Sequence, residues 1–174
     1  EAAAARAGNQ TARAAIQDAA LRPEAVRGAM LALGCSIGSP GAIERSGNTW
    51  EELDATDPVC LSRYSQGSMV AHAAGALGVT GPVACLTTTC AAGNFALGAA
   101  MDALDEGSVE IVLAGGVEEL SLMPYASFHQ LRAIADVCRP FDRDRDGFDE
   151  RGDTLVLARC RGGGLYPGDR VPDD

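Results

Sequence analysis

Aromatic side chains are scarce in this sequence, 5% of 174 residues, while Ala and Gly are abundant. That excludes an aromatic-lined binding surface and implies tightly packed helices with close backbone approaches. Basic residues are few as well. Fourteen Lys and Arg stand against 24 Asp and Glu, and the net charge of −10 repels phosphate backbones, so no nucleic-acid partner is expected. Only two histidines occur, and none of the six cysteines (35, 60, 85, 90, 138 and 160) forms a CxxC pair. Ligands for a zinc site are therefore lacking, and neither a metal nor another cofactor is expected. A long apolar segment is missing too. The longest stretch without a charged residue, 64–101, is broken by Gly67, Gly75, Gly78, Pro82, Thr87 and Asn94. It falls short of the roughly 20 apolar residues a spanning helix needs, so no membrane partner is expected. Glu1 opens an Ala-rich segment without the basic, apolar and small-residue regions of a signal peptide. The expected location is cytoplasmic and reduced, with Cys35, Cys85 and Cys160 acting as small hydrophobes in apolar runs.

What is present is enough for one packed domain: 47% of the residues are hydrophobic. Residues 1–21 suit a helix with a small apolar face (Ala12, Ala15, Ile16, Ala19, Ala20), stopped by Pro23. Residues 29–37 form a short apolar run expected as a buried strand, and 41–58 a polar surface excursion. Helical segments are expected at 61–77, closed by Gly78, and at 91–104. The β-branched, uncharged run 81–89 is expected as a central strand, and 109–114 as another buried strand. A short helix or loop follows at 131–137, a charged loop at 139–153 and a last strand at 154–158. Strands alternating with helices imply an α/β fold with a mostly parallel sheet covered on both faces. Residues 1–160 are expected as the domain and 161–174 as a flexible tail.

The chemistry concentrates in Thr87-Thr88-Thr89-Cys90-Ala91-Ala92-Gly93-Asn94. A buried strand ends near a cysteine, and a helix of very small residues begins there. At a helix amino terminus, unpaired N–H groups and the positive dipole end favour thiolate over thiol. Ala91, Ala92 and Gly93 permit close packing and leave room for a substrate chain. A buried structural cysteine at a strand end is the alternative reading of the same spacing.

Cys90-Ala91-Ala92-Gly93-Asn94, then Ala96-Leu97-Gly98, then Val112-Leu113-Ala114-Gly115-Gly116-Val117-Glu118 resemble the nucleophile region of β-ketoacyl synthases, members of the thiolase superfamily. Arg139-Pro140-Phe141-Asp142-Arg143-Asp144-Arg145-Asp146-Gly147-Phe148 is similar to that family's charged loop. The likeness covers 22–158 by organisation and is sharp over 81–148. It implies one half of a thiolase-like fold, with Cys90 taking acyl groups from an acyl carrier protein and attacking as thiolate. The backbone N–H of Cys90 would supply half of an oxyanion hole. Thr89, Ala91, Gly93, Asn94 and Phe128 would line the substrate path. The family's condensation uses two histidines in motifs of the carboxy-terminal half, and neither His72 nor His129 sits in such a motif. The chain is thus expected to be acylated and not to condense unaided. A homodimer, or a heterodimer with a synthase-type subunit, is expected through 81–89.

Other readings use the same residues. Gly115 to Tyr125 is similar to a thiolase segment, which makes a thiolase relative a sibling reading. Asp142, Asp144, Asp146 and Gly147 fit the start of a calcium loop, but Asp149 stands where an apolar residue belongs, Asp153 where a bidentate Glu belongs, and two arginines intervene. A self-paired surface loop accounts for them better. Glu118 and Glu119 could form an acid/base pair, although one buried against an arginine and one solvated is the simpler expectation. His72 is expected to be packed or to face a dimer partner, and His129 to be solvated in a loop. Arg63, Arg132, Arg139, Arg143 and Arg145 are the candidates for a basic patch that would meet an acidic carrier protein.

Overall fold

The computed structural model describes residues 3–45, 51–52, 58–148 and 155–160, with side chains described from Asn9 onward except at 60–61 and 155–160. Helix α1 spans Ala3–Asp18 and α2 Pro23–Gly28, the latter opened by Pro23 where a missing N–H costs nothing. Strand β1 (Met30–Gly34) leads to a short helix, α3 (Pro40–Glu44), and after an interval to α4 (Pro58–Ser62) and α5 (Gln66–Leu77). Ser65 caps α5 by accepting the Ser68 N–H at 3.1 Å, and Gly78 ends it at φ +73°. Strand β2 (Val83–Leu86), a 3₁₀ turn (Thr89–Ala91) and α6 (Ala92–Asp105) follow, then β3 (Ile111–Gly116), α7 (Leu122–Gln130) and β4 (Leu155–Cys160).

The sheet order is β2-β1-β3-β4. The first three strands run parallel and β4 pairs antiparallel to β3. Residue alternation assigns the two faces. On one side Leu31, Leu33 and Leu113 meet Ala12 of α1, Ala19 just after it, and Met69, Val70, Ala73 and Ala74 of α5. On the other, Ala32, Val112 and Ala114 meet Ala96, Ala100, Ala103 and Leu104 of α6. The mostly parallel sheet with helices on both faces is the expected α/β architecture. Among the described residues no helix is long and apolar enough to cross a membrane.

Several elements differ from the sequence-based expectation. The run 81–89 is not central: β2 is shorter and forms one end of the described sheet, with Val83 exposed and Ala84, Cys85 and Leu86 half-buried. Part of the expected excursion at 41–58 is the buried start of α3, where Pro40, Gly41 and Ala42 are covered; 46–50 and 53–57 lie outside the described residues. Helix α7 has no counterpart among the expected elements; Pro124 sits in its first turn, where proline is tolerated. The Glu44 carboxylate caps this helix, accepting the N–H groups of Leu122 at 3.1 Å and Met123 at 2.7 Å. His129 therefore lies on a helix, not in a loop, stacked on Tyr125 with centroids 6.1 Å apart. The segment 131–137 takes the loop form of the two expected and is tied to the charged loop by a bridge between Ile134 and Phe148. The expected tail, 161–174, lies outside the described residues.

The amino terminus of α6 presses onto the sheet where glycine allows it. A Cβ on Gly34 would overlap the backbone carbonyl of Ala92 and crowd the Gly93 nitrogen. A Cβ on Gly93 would meet Gly116 Cα at 3.6 Å, an ordinary contact, so Gly34 is the position that sets the approach. Because the obstacle at Gly34 is backbone, it cannot rotate aside. Gly34→Ala is expected to lower unfolding stability by about 2–3 kcal/mol, in the range of core overpacking. Urea denaturation checks this; an unchanged midpoint would mean that the helix can shift freely.

Candidate active site

Cys90 sits on a sharp corner between β2 and α6. After Leu86 the chain leaves the strand, Thr88 adopts φ −97° and ψ 40°, and Thr89 opens the 3₁₀ turn at φ +52°. A β-branched residue in the left-handed region carries strain on the order of 1–3 kcal/mol, which surrounding contacts must hold. Those contacts are local and distant. Ala91 N–H donates to the Thr88 carbonyl at 3.3 Å, and the Thr89 hydroxyl donates to the same carbonyl at 2.8 Å. From β1's end, the Ser36 hydroxyl donates to the Thr89 carbonyl at 3.0 Å. The corner leaves Cys90 exposed, with a free thiol.

The neighbouring candidates follow from this corner. Thr89 and Asn94 are exposed, Ala91 and Gly93 are half-buried, and Ala92 is buried against the sheet. Gly93 faces Gly116 of β3. Phe128 belongs to a different element, α7, where its half-buried ring packs edge-on against Phe148 with centroids 4.7 Å apart. That contact joins α7 to the end of the charged loop.

Glu118 and Glu119 have separate partners and do not act as an acid/base pair. Glu119 is buried, accepts hydrogen bonds from the Ser39 hydroxyl and, at 3.3 Å, from the Gly41 N–H, and lies 3.8 Å from Arg45. This is the expected carboxylate against an arginine, and it fixes α3. Glu118 is half-buried and not simply solvated: it accepts the Ser36 N–H. Gln66 Nε2 donates to the Ser36 carbonyl at 3.3 Å. Sequence reasoning missed Ser36 and Gln66. The available signal was a polar residue at the end of an apolar strand.

The cysteines divide by environment. Cys35 is fully buried, and burial first, with the Glu118 charge second, pushes its thiol from 9.0 up to about 12. Its sulfur also accepts the Gly38 N–H at 3.1 Å. Burial raises the Cys85 thiol as well. Cys90 and Cys138 are exposed. Cys35 and Cys85 are thus the small hydrophobes expected of them, while the side chain of Cys160 lies outside the described residues.

In the charged loop, Arg139 pairs with Asp146 at 3.1 Å, Asp142 accepts the Asp144 N–H at 2.7 Å, and Arg145 donates to the Asp142 carbonyl at 3.1 Å. The described part of the loop pairs with itself through the Asp142 and Asp146 carboxylates. Asp149 and Asp153 lie outside the described residues. Arg139, Arg143, Arg145, Arg132 and Arg63 are all exposed. His72 is exposed on α5, not packed in the core.

The family model for the β-ketoacyl synthase amino-terminal domain matches residues 2–157, reaching further toward the amino terminus than the motif likeness did. A putative polyketide β-ketoacyl synthase 1 of Streptomyces cyaneus is 29% identical over 159 residues, covering 78% of this chain and 38% of that protein. The solved ishigamide ketosynthase/chain length factor superposes with a TM-score of 0.75 at 29% identity, over 91% of this chain and 41% of that one. A structure of a type II polyketide acyl carrier protein in complex with its ketosynthase gives 0.74 at 26% identity, over 95% of this chain and 47% of that one. The chain spans about two fifths of the length of the curated relative.

Two outcomes follow from the cysteine environments. At neutral pH iodoacetamide is expected to label Cys90 well before Cys35 and Cys85, as read by peptide mapping; Cys90 slower than the buried pair would remove it as a nucleophile. Cys35 also sets a pH dependence. Its proton is retained in the folded state up to about pH 12 but lost near 9.0 in the unfolded chain. Above pH 9 the unfolded state binds fewer protons, so stability is expected to fall with rising pH, by up to about 1.4 kcal/mol per unit. Urea unfolding of the parent chain and Cys35→Ala should show a steeper fall in the parent, the half-buried Cys85 thiol leaving a smaller one in the variant.

Proposed function

Since this chain belongs to the β-ketoacyl synthase family, we propose that Cys90 is an acyl-accepting nucleophile, loaded from an acyl carrier protein for Claisen condensation in fatty acid or polyketide synthesis. The observation that carries this reading is the exposed Cys90 thiol on a strained corner at the amino terminus of α6. In the proposed step the Cys90 thiolate attacks the carbonyl carbon of the carrier's thioester. A new C–S bond forms, the oxyanion faces the Cys90 N–H, and collapse breaks the bond to the carrier thiol. The carrier leaves as thiolate and takes a proton from solvent. Thr89, Ala91, Gly93, Asn94 and Phe128 are assigned to the surroundings of the acyl group. The exposed arginines of the charged loop, with Arg63 and Arg132, are assigned to the acidic carrier.

Condensation is a separate matter. Decarboxylating an extender unit needs donors over its thioester carbonyl, and His72 and His129 are exposed on α5 and α7, with no motif of that kind around them. The 174 residues are therefore assigned the acylation half-reaction, with condensation dependent on the remainder of a synthase, in the same protein or in a partner. A second reading is a non-catalytic subunit that pairs with a full synthase, as in the ketosynthase/chain length factor pair to which the chain is similar. Retention of an exposed Cys90 favours the first.

The edge position of β2 supports assembly through that strand. Pro82 and Leu86 carbonyls accept from Leu31 of β1 and from Cys35 just beyond it, so by alternation the Val83 and Cys85 backbone groups point outward. We assign this edge to a homodimer, or to a heterodimer with a synthase-type subunit.

Incubation with an acyl carrier protein thioester is expected to add one acyl mass to the chain, to yield no β-ketoacyl product, and to add nothing to Cys90→Ser. Product from the purified 174-residue chain would show that His72 or His129 serves condensation. No mass gain in the parent chain would favour the non-catalytic subunit. For assembly, Val83→Pro removes an outward N–H that β1 does not use, so the fold should persist while sedimentation shows the dimer weakened. A parent chain that sediments as a monomer, alone and with a synthase subunit, contradicts the assignment.

A further inference from the structure

Ser36 stands two residues beyond the end of β1, and all of its polar groups are engaged. Its N–H donates to Glu118 Oε1, its carbonyl accepts from Gln66 Nε2 at 3.3 Å, and its hydroxyl lies 3.0 Å from the Thr89 oxygen. A carbonyl oxygen can only accept, so the hydroxyl is the donor. Thr89 and Cys90 share one peptide unit. Across a trans bond the Thr89 C=O and the Cys90 N–H lie in one plane and point in opposite directions, and no cis bond occurs among the described residues. Holding the carbonyl therefore fixes where the N–H points. A hydrogen bond to that carbonyl also polarises the N–H at the other end of the same amide.

We propose that Ser36 is a positioning residue for acyl transfer, aiming and polarising the Cys90 N–H through the Thr89 carbonyl. The proposal rests on the reading of Cys90 as the acylated nucleophile. Its physical motive is the conformation of Thr89. At φ +52° this β-branched residue relaxes toward negative φ once unrestrained, and that rotation swings the Thr89–Cys90 amide. Ser36 opposes the swing, and Glu118 and Gln66 hold Ser36 against its own displacement. The arrangement links three parts of the chain: β1's end, the start of α5 and the segment after β3.

The test compares two reactions at the same sulfur. Acylation by an acyl thioester of N-acetylcysteamine develops an oxyanion, whereas alkylation by iodoacetamide does not. Ser36→Ala is expected to slow Cys90 acylation about tenfold, less than the order of 10² to 10³ lost with a direct oxyanion donor, and to leave alkylation at the parent rate. Ser36→Thr, which keeps the hydroxyl, is expected to restore acylation. Unchanged acylation in Ser36→Ala, or an equal fall in both reactions, overturns the proposal. Should circular dichroism show that Ser36→Ala does not fold, Gln66→Ala decides: it is expected to lower the ratio of acylation to alkylation, and an unchanged ratio overturns the proposal. A parent chain that is alkylated but never acylated at Cys90 refutes the nucleophile reading itself, and this proposal with it.

Discussion

The close approach of α6 to the sheet at Gly34 is the constraint on which the rest of the site depends. With no side chain there, the Ala92 carbonyl rests directly over β1. The helix that follows buries Ala96, Ala100, Ala103 and Leu104 against the sheet. A helix that starts so close to the sheet leaves little chain to connect it with β2. The connection must turn within Thr87 to Thr89, and it does so by forcing Thr89 to positive φ. Exposure of Cys90 is the consequence. Packing, backbone strain and thiol presentation are thus one feature seen at three scales.

The two buried or half-buried acids show how the sheet's carboxyl ends are finished. Adjacent in sequence and directed to different partners, Glu118 holds Ser36 and Glu119 holds Ser39, Gly41 and Arg45. One therefore supports the corner that carries Cys90 and the other anchors α3, whose Glu44 in turn caps α7. The chain of contacts runs from β3 to both flanking loops.

Much of this was legible in the sequence because it is local. The β1 and β3 runs, the helix after Cys90 and the stop at Gly78 follow from periodicity and small-residue content, whereas the Ser65 cap falls inside the single helix expected over 61–77. The nucleophile stretch was legible for the same reason. What escaped was non-local or masked. The Ser36–Thr89 bond joins residues 53 apart, and the Ser36–Glu118 bond residues 82 apart; no periodicity encodes either. Helix α7 is started by the distant Glu44 carboxylate, which no local pattern encodes, and β2 looked central because an uncharged, β-branched run carries no sign of its place in the sheet. Val83 on β2, and Leu122, Met123 and Phe141, are large apolar residues left exposed, which no pattern in the sequence signals either.

The central claim is that the corner presents the Cys90 sulfur and its own N–H to one acyl group. A crystal structure of the chain after reaction with an acyl thioester tests this most directly. The account predicts continuous density from Cys90 Sγ to the acyl carbon, with the acyl oxygen about 2.7–3.1 Å from the Cys90 nitrogen. An acyl group on a different cysteine, or one on Cys90 whose oxygen turns away from that N–H, would contradict it.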